Sequence, residues 1–276
     1  MLLALHKIQT YPFDLDHPVF ARYPAMKFGD LEAVRHFARL LVPLAARLYR
    51  ERCNDNLVLT SPPVSSLPSG ANLLCEAVHA ELRRGGLPAD LEALRLEQDP
   101  QPFEDEKEFR ARGDYAKLDC ETRLQSQLAQ APDVRFDAQA FRGRHVVFVN
   151  DINVTGAQMR CMRALLARAQ PRSLDWLFIV DVAPRIGRHR PGLESEINQS
   201  RLTEDRELVS FLRRSELRYT GKFVARLLSF GGERLADIFR QLDAATRNAI
   251  RDAVAREGSY SRSFFSEKIA AACEGA

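Results

Sequence analysis

The chain has 276 residues, 45% hydrophobic and 28% charged, and its 40 basic against 37 acidic residues leave a formal charge of +3. That apolar share excludes a mainly disordered chain, 14 Gly and 14 Pro exclude a collagen-like or low-complexity one, and the length allows one decorated domain or two small ones. A charge this close to balance argues against general attraction to nucleic acid or to an anionic membrane.

The chain opens MLLALHKIQ, with five apolar residues before His6 and Lys7. That stretch is shorter than a signal-peptide core, and no apolar run in the sequence is long enough to cross a membrane, so a cytoplasmic location is expected. Cys53, Cys75, Cys120, Cys161 and Cys273 are scattered and never spaced C-x-x-C. They read as reduced thiols, not as a disulfide framework or a zinc site.

Helical and strand patterns alternate, which predicts an α/β fold with a mostly parallel sheet. Asp30 is placed to cap a helix over 31–53, where Leu31, Val34, Phe37, Leu41, Leu44, Ala45 and Leu48 recur near the helical period. Pro43 is expected to kink or divide that helix. A buried strand follows at Asn56–Thr60, then the loop SPPVSSLPSG (61–70), a helix over 71–84 stopped by Gly85-Gly86, and a strand at Leu91–Leu96. Residues 98–114 are polar and charged, with acids outnumbering bases, and read as a long solvated loop. Asp119 should cap a helix through CETRLQSQLAQA. The strongest strand signal, HVVFVN (145–150), precedes a helix over 156–169 and a strand at 174–182. After Arg201 the pattern is helical to the end. The simplest division is an α/β core over 1–190 and a helical extension over 191–276.

The chemistry is concentrated in VVFVNDINVTGAQ (146–158). A buried strand delivers a polar pair, Asn150-Asp151, at its carboxyl end, where ligands of open α/β sheets sit. The Thr155-Gly156 turn then opens a helix, whose first amides and positive dipole suit a phosphate. Gly156 lets backbone approach the phosphate, and Thr155 adds a hydroxyl donor. Asp151 can accept bonds from ribose hydroxyls or ligate a hydrated Mg²⁺. A phosphate loop beside a carboxylate fits a ribose 5-phosphate.

This run resembles the motif that binds phosphoribosyl pyrophosphate (PRPP) in type I phosphoribosyltransferases: apolar residues, two acids, a short variable stretch and Thr-Gly. The wider text, with an FG pair inside Tyr23–Asp30, TSPP at Thr60–Pro63, DYAxL at Asp114–Leu118 and DIxxTG at Asp151–Gly156, is similar to ComF-like phosphoribosyltransferases associated with tellurium-resistance (Ter) stress operons. The resemblance covers about residues 1–185 and implies the small Rossmann-like sheet of the type I phosphoribosyltransferase fold.

It implies that Asp151, with Asn150, acts on the ribose as the catalytic pair, and that Val154, Thr155, Gly156, Ala157 and Gln158 cradle the 5-phosphate. It places Thr60, Ser61 and Ser65 at the pyrophosphate, with Arg112 and Lys117 closing over it. It implies Mg²⁺ bound with PRPP at Asp151, a small-molecule base as acceptor, a possible homodimer, and products of a Ter operon as possible partners.

Three positions depart from the motif. Asn150 replaces the first acid, Val154 stands where purine enzymes carry an Asp base, and Gln158 takes a Thr or Ser place. Two readings therefore stand side by side: a phosphoribosyltransferase, or a PRPP- or nucleotide-sensing module of the same fold without turnover. The basic run Arg185–Arg190 reads as a solvated turn, and Trp176 and Phe264-Phe265 read as core.

Overall fold

A computed structural model describes residues 1–52, 57–97, 102–112, 116, 118–214, 216–260 and 263–274. Five parallel strands form the central sheet: β1 (Leu2–Ile8), β2 (Leu57–Thr60), β3 (Asp90–Leu91), β6 (His145–Asn153) and β7 (Ser173–Val182). Their order is β1-β7-β6-β2-β3. Between them in the chain, β4 (Arg95–Leu96) and β5 (Val134–Arg135) make a separate antiparallel pair.

The central strands read as continuous apolar runs because both faces of the sheet are covered. Val147, Val149, Leu57, Leu59, Leu177 and Ile179 point into one core, and Val146, Phe148, Val58, Trp176 and Phe178 into the other. The first face is covered by α1 (Pro18–Phe28), α2 (Leu31–Glu51) and α3 (Gly70–Arg84). The second packs on α7 (Ala157–Ala167), with α4 (Glu106–Arg112), α5 (Cys120–Gln130) and α6 (Ala138–Phe141) preceding it in the chain. Trp176 is core, its ring centroid 5.1 Å from that of Phe148 with the planes tilted by 50°.

Asp30 caps α2 as expected, accepting from the amides of Glu32 at 2.9 Å and Ala33 at 3.1 Å. Pro43 does not divide the helix. It lies on the solvent side, where water can satisfy the carbonyl that proline leaves without its donor.

Other expectations need correction. The apolar N-terminal residues form β1, paired along β7 from Leu2↔Trp176 to Ile8↔Val182. Residues 91–96 are two strands, because β3 pairs with β2 while Leu94 turns into the second core and the chain moves on to pair with β5. Within the charged stretch, Glu106–Arg112 is helical: Asp105 accepts from the Glu108 amide at 2.7 Å, and Phe109 is buried. Of the basic run, Arg185–His189 falls in α8 (Pro184–His189), and Arg190 caps its end.

Next, α9 (Leu193–Asn198) sends Leu193 and Ile197 into the first sheet core. Beyond it, α10 (Asp205–Leu212), α11 (Gly221–Leu228), α12 (Gly232–Arg240), α13 (Ala244–Arg256) and α14 (Ser263–Glu274) gather around a third core. Phe265 lies in that core, joined by Phe28, Leu67 and Phe109 from earlier in the chain. No helix among the described residues is long and apolar enough to cross a membrane.

Candidate functional site

Strands β2 and β6 are neighbours whose crossovers leave in opposite directions, β2 through α3 to β3 and β6 through α7 to β7. The loops after them part at their carboxyl ends, which makes a crevice of the kind where open α/β sheets bind ligands. A cleft of about 160 Å³ lies there. Residues 150–158 line one wall, with Pro62, Ser69 and Ala71 opposite and Lys27, Arg123 and Glu194 beside Asp151.

The turn into α7 carries the phosphate-loop geometry. Gly156 caps the helix at φ +72°, a left-handed conformation that favours glycine. The Ala157 amide donates to Thr155 Oγ1 at 3.3 Å, which leaves the hydroxyl proton available to a ligand. The first amides of α7 have no carbonyl within the helix to meet. Val154 turns its side chain into the core, and only its backbone faces the turn. A Cβ on Gly187 would lie 1.8 Å from the Val154 carbonyl oxygen, so α8 supports the loop through a contact that only glycine allows.

Asn150 and Gln158 bond to each other, Asn150 Nδ2 donating to Gln158 Oε1 at 2.5 Å. Asn150 Oδ1 accepts from the Asp151 amide at 2.8 Å. Asp151 Oδ1 accepts from the Ile152 amide at 2.8 Å, and its Oδ2 is ion-paired with Lys27 Nζ.

The same ammonium lies 3.1 Å from Glu194 Oε1, and Arg123 reaches Glu194 Oε2 at 3.4 Å. Arg123 is buried and also donates to the carbonyls of Ala116 (2.6 Å), Leu118 (3.0 Å) and Pro191 (2.6 Å). It thereby ties the end of the DYAxL segment to the start of α9. Burial opposes both central charges, but the partners outweigh it. Asp151 and Glu194 raise the Lys27 ammonium above its ordinary pKa, and Lys27, Arg123 and Lys222 lower Glu194 to about 2. Tyr23, fully buried on α1, is pushed well above the ordinary phenol value by burial and then by Asp151 and Glu194.

For Mg²⁺, Asp151 Oδ2 already faces the Lys27 ammonium, whose charge repels a second cation, and Asn150, in the first acid's place, is neutral and bonded within the loop. Among the described residues no group of three His, Cys, Asp or Glu is placed to hold a metal ion. A divalent ion held by the protein does not fit this arrangement.

The sequence-predicted residues separate into two groups. Asn150, Asp151 and residues 154–158 meet in one cleft. Ser61 and Ser65 line a neighbouring cleft of about 210 Å³ with Asn72, Arg95 and Arg218, and Ser61 Oγ accepts from Asn72 Nδ2 at 3.0 Å. Thr60 is fully buried, and its hydroxyl has no hydrogen-bond partner among the described residues. Lys117 and the side chain of Arg112 lie outside the described residues. Sequence reasoning missed Lys27, Arg123 and Glu194. Lys27 directly precedes the FG pair and Arg123 follows DYAxL by five residues, whereas Glu194 carries no local signal.

The family profile described as PRTase ComF-like, a phosphoribosyltransferase family, matches residues 1–267. None of the curated proteins matches the sequence. Among solved structures, the chain is similar to a hypoxanthine phosphoribosyltransferase from Staphylococcus aureus, at 12% identity over 58% of this chain and 68% of that one, TM-score 0.34. It is also similar to the hypoxanthine-guanine enzyme of Leishmania tarentolae in complex with GMP, at 14% identity over 56% and 70%, TM-score 0.34. The hypoxanthine enzyme of Trypanosoma cruzi matches at 14% identity over 57% and 72%, TM-score 0.35. The profile runs well past residue 185, where the motif resemblance stops, and takes in the C-terminal helices as far as α14. By that match over nearly its whole length, the chain belongs to the PRTase ComF-like family.

Proposed function

We propose that this protein transfers ribose 5-phosphate from PRPP to a small-molecule base. The observation that carries the reading is the Thr155-Gly156 turn at the start of α7, next to Asp151 at the sheet's switch point. In this reading the amides of residues 155–158 and the Thr155 hydroxyl hold the 5-phosphate. The ribose hydroxyls donate to Asp151, and the pyrophosphate lies towards Pro62 and Ser69. A ring nitrogen of the base forms a bond to C1 as the C1–oxygen bond breaks. The electron pair leaves with pyrophosphate, and the nitrogen's proton goes to solvent. The ribose is cation-like midway, and fixed groups that need no reorganisation lower the barrier. The substrate's Mg²⁺ enters none of these steps. A role in a Ter-linked stress response, and a homodimer, belong to the same proposal and rest on the TSPP, DYAxL and DIxxTG resemblance.

The test is pyrophosphate release on incubation with PRPP and a panel of purine, pyrimidine and other nitrogenous bases. Release with one base, reduced about a hundredfold or more in Asp151→Asn, supports the reading. One observation favours the second reading, binding without turnover: Asn150 replaces a carboxylate and its amide is spent on Gln158. Micromolar PRPP binding with no release from any base selects that alternative.

A further inference from the structure

Building on the PRPP reading, we propose that Lys27 is the resident cation of this site, and that it permits binding of the ribose–pyrophosphate end of the substrate without a divalent ion. The ammonium lies between two carboxylates from different parts of the fold, Asp151 on β6 and Glu194 on α9. An ammonium has three donors. Two are directed at Asp151 Oδ2 and Glu194 Oε1, and because Lys27 lines the cleft, a third remains for a ligand oxygen.

The cluster is electrically closed. Lys27 and Arg123 balance Asp151 and Glu194, so no excess negative charge remains to recruit a metal ion. A divalent ion close to Asp151 would have to expel the ammonium or bear its repulsion in a half-buried site. Glu194 also makes good the missing acid at position 150, because it restores a second carboxylate to the cleft from 43 residues downstream of Asp151.

The position of Lys27 is fixed from behind. Its carbonyl accepts from Thr220 Oγ1 at 3.0 Å, at the start of α11. The C-terminal helices therefore hold the last turn of α1 and with it the ammonium. A preorganised cation of this kind costs little to present to an anionic oxygen.

The experiment has two arms on the full chain. Calorimetric titration with PRPP compares excess EDTA with millimolar Mg²⁺. Manganese binding to the protein alone is followed by electron paramagnetic resonance. Wild type should bind PRPP in EDTA within about fivefold of its affinity in Mg²⁺, and Lys27→Arg should do the same. Lys27→Met should lose at least about tenfold in EDTA and recover with Mg²⁺, and should take up manganese that wild type does not, because Asp151 and Glu194 are then uncovered.

Wild-type binding that collapses in EDTA overturns the proposal, as does manganese uptake by wild type equal to that of Lys27→Met. Should Lys27→Met not fold, the wild-type EDTA titration and Lys27→Arg decide alone. Absence of PRPP binding in both EDTA and Mg²⁺ overturns the PRPP reading itself, a result distinct from Mg²⁺-dependent binding.

Discussion

Asn150 Nδ2 donates to Gln158 Oε1 at 2.5 Å, across the turn that joins β6 to α7. These are two of the three positions that depart from the phosphoribosyltransferase motif, and they satisfy each other. An acid at 150 would face the Gln158 carbonyl unless that amide turned over, and a shorter hydroxyl side chain at 158 would leave the Asn150 amide without this partner. The substitutions therefore work as a pair that stiffens the loop at the expense of groups free to meet a ribose.

That pairing predicts non-additivity. In urea unfolding, Asn150→Ala and Gln158→Ala should each cost about 1 kcal/mol, and the double variant should cost clearly less than their sum. An interaction energy indistinguishable from zero would mean that the contact does nothing for the loop.

Two glycines support the loop by different means, and alanine should separate them. At Gly156 an added Cβ meets nothing within 4 Å, but φ is +72°, so Gly156→Ala should cost about 1–2 kcal/mol through backbone strain alone. At Gly187 the backbone is ordinary, and the added methyl meets the Val154 carbonyl. Gly187→Ala should cost about 1–3 kcal/mol and displace the loop. A titration with ribose 5-phosphate, a ligand that needs only the phosphate and diol contacts, should show weaker binding for Gly187→Ala even though residue 187 is not expected to touch the ligand. Unchanged affinity there would separate α8 from the site.

How much of this was readable follows from sequence distance. The sheet centre, the Thr-Gly turn and the Asp30 cap have local signatures: an apolar run, a glycine before a helix, a carboxylate before an amphipathic repeat. The strand β1 was missed because its burial depends on β7, more than 160 residues away, and five apolar residues in isolation look like any chain start. Helix α4 was missed because its charges suggested a loop, while its anchor is one phenylalanine, Phe109, in a core built mostly by later helices. The ammonium at the centre of the cleft is out of reach of any local pattern: Lys27, Asp151 and Glu194 come from α1, β6 and α9. Motif reading located the phosphate end of the cleft and left its charged end unseen.

The C-terminal helices grip the loop that follows β2. Glu257 is buried and its Oε2 accepts from the Leu67 amide at 3.3 Å, while the Gly221 amide donates to the Pro68 carbonyl at 3.3 Å. Glu257→Leu leaves the Leu67 amide without this acceptor and should destabilise the protein by about 1–3 kcal/mol. Amide hydrogen exchange should then quicken at residues 64–69 relative to the sheet. Uniform quickening across the sheet would indicate a general loss of stability instead of a loosened loop.

The buried carboxylate of Glu194 gives the charged end of the cleft a signature in pH. Its ordinary pKa of 4.5 is raised by burial, but Lys27, Arg123 and Lys222 outweigh that and bring it to about 2 in the folded protein. A group whose pKa is lower in the folded than in the unfolded state binds protons more readily when unfolded. Its contribution to stability is therefore complete above about pH 5, declines as pH falls through 4.5, and is lost near 2. Glu194→Gln removes that contribution and keeps the shape, while Lys27 retains Asp151 and Arg123 retains its three carbonyls. Wild type should exceed Glu194→Gln in unfolding free energy at pH 7, and the gap should close progressively between about pH 5 and pH 2. A gap that stays constant over that range would show that Glu194 is not ionised between Lys27 and Arg123, and would remove the second carboxylate on which the resident cation depends.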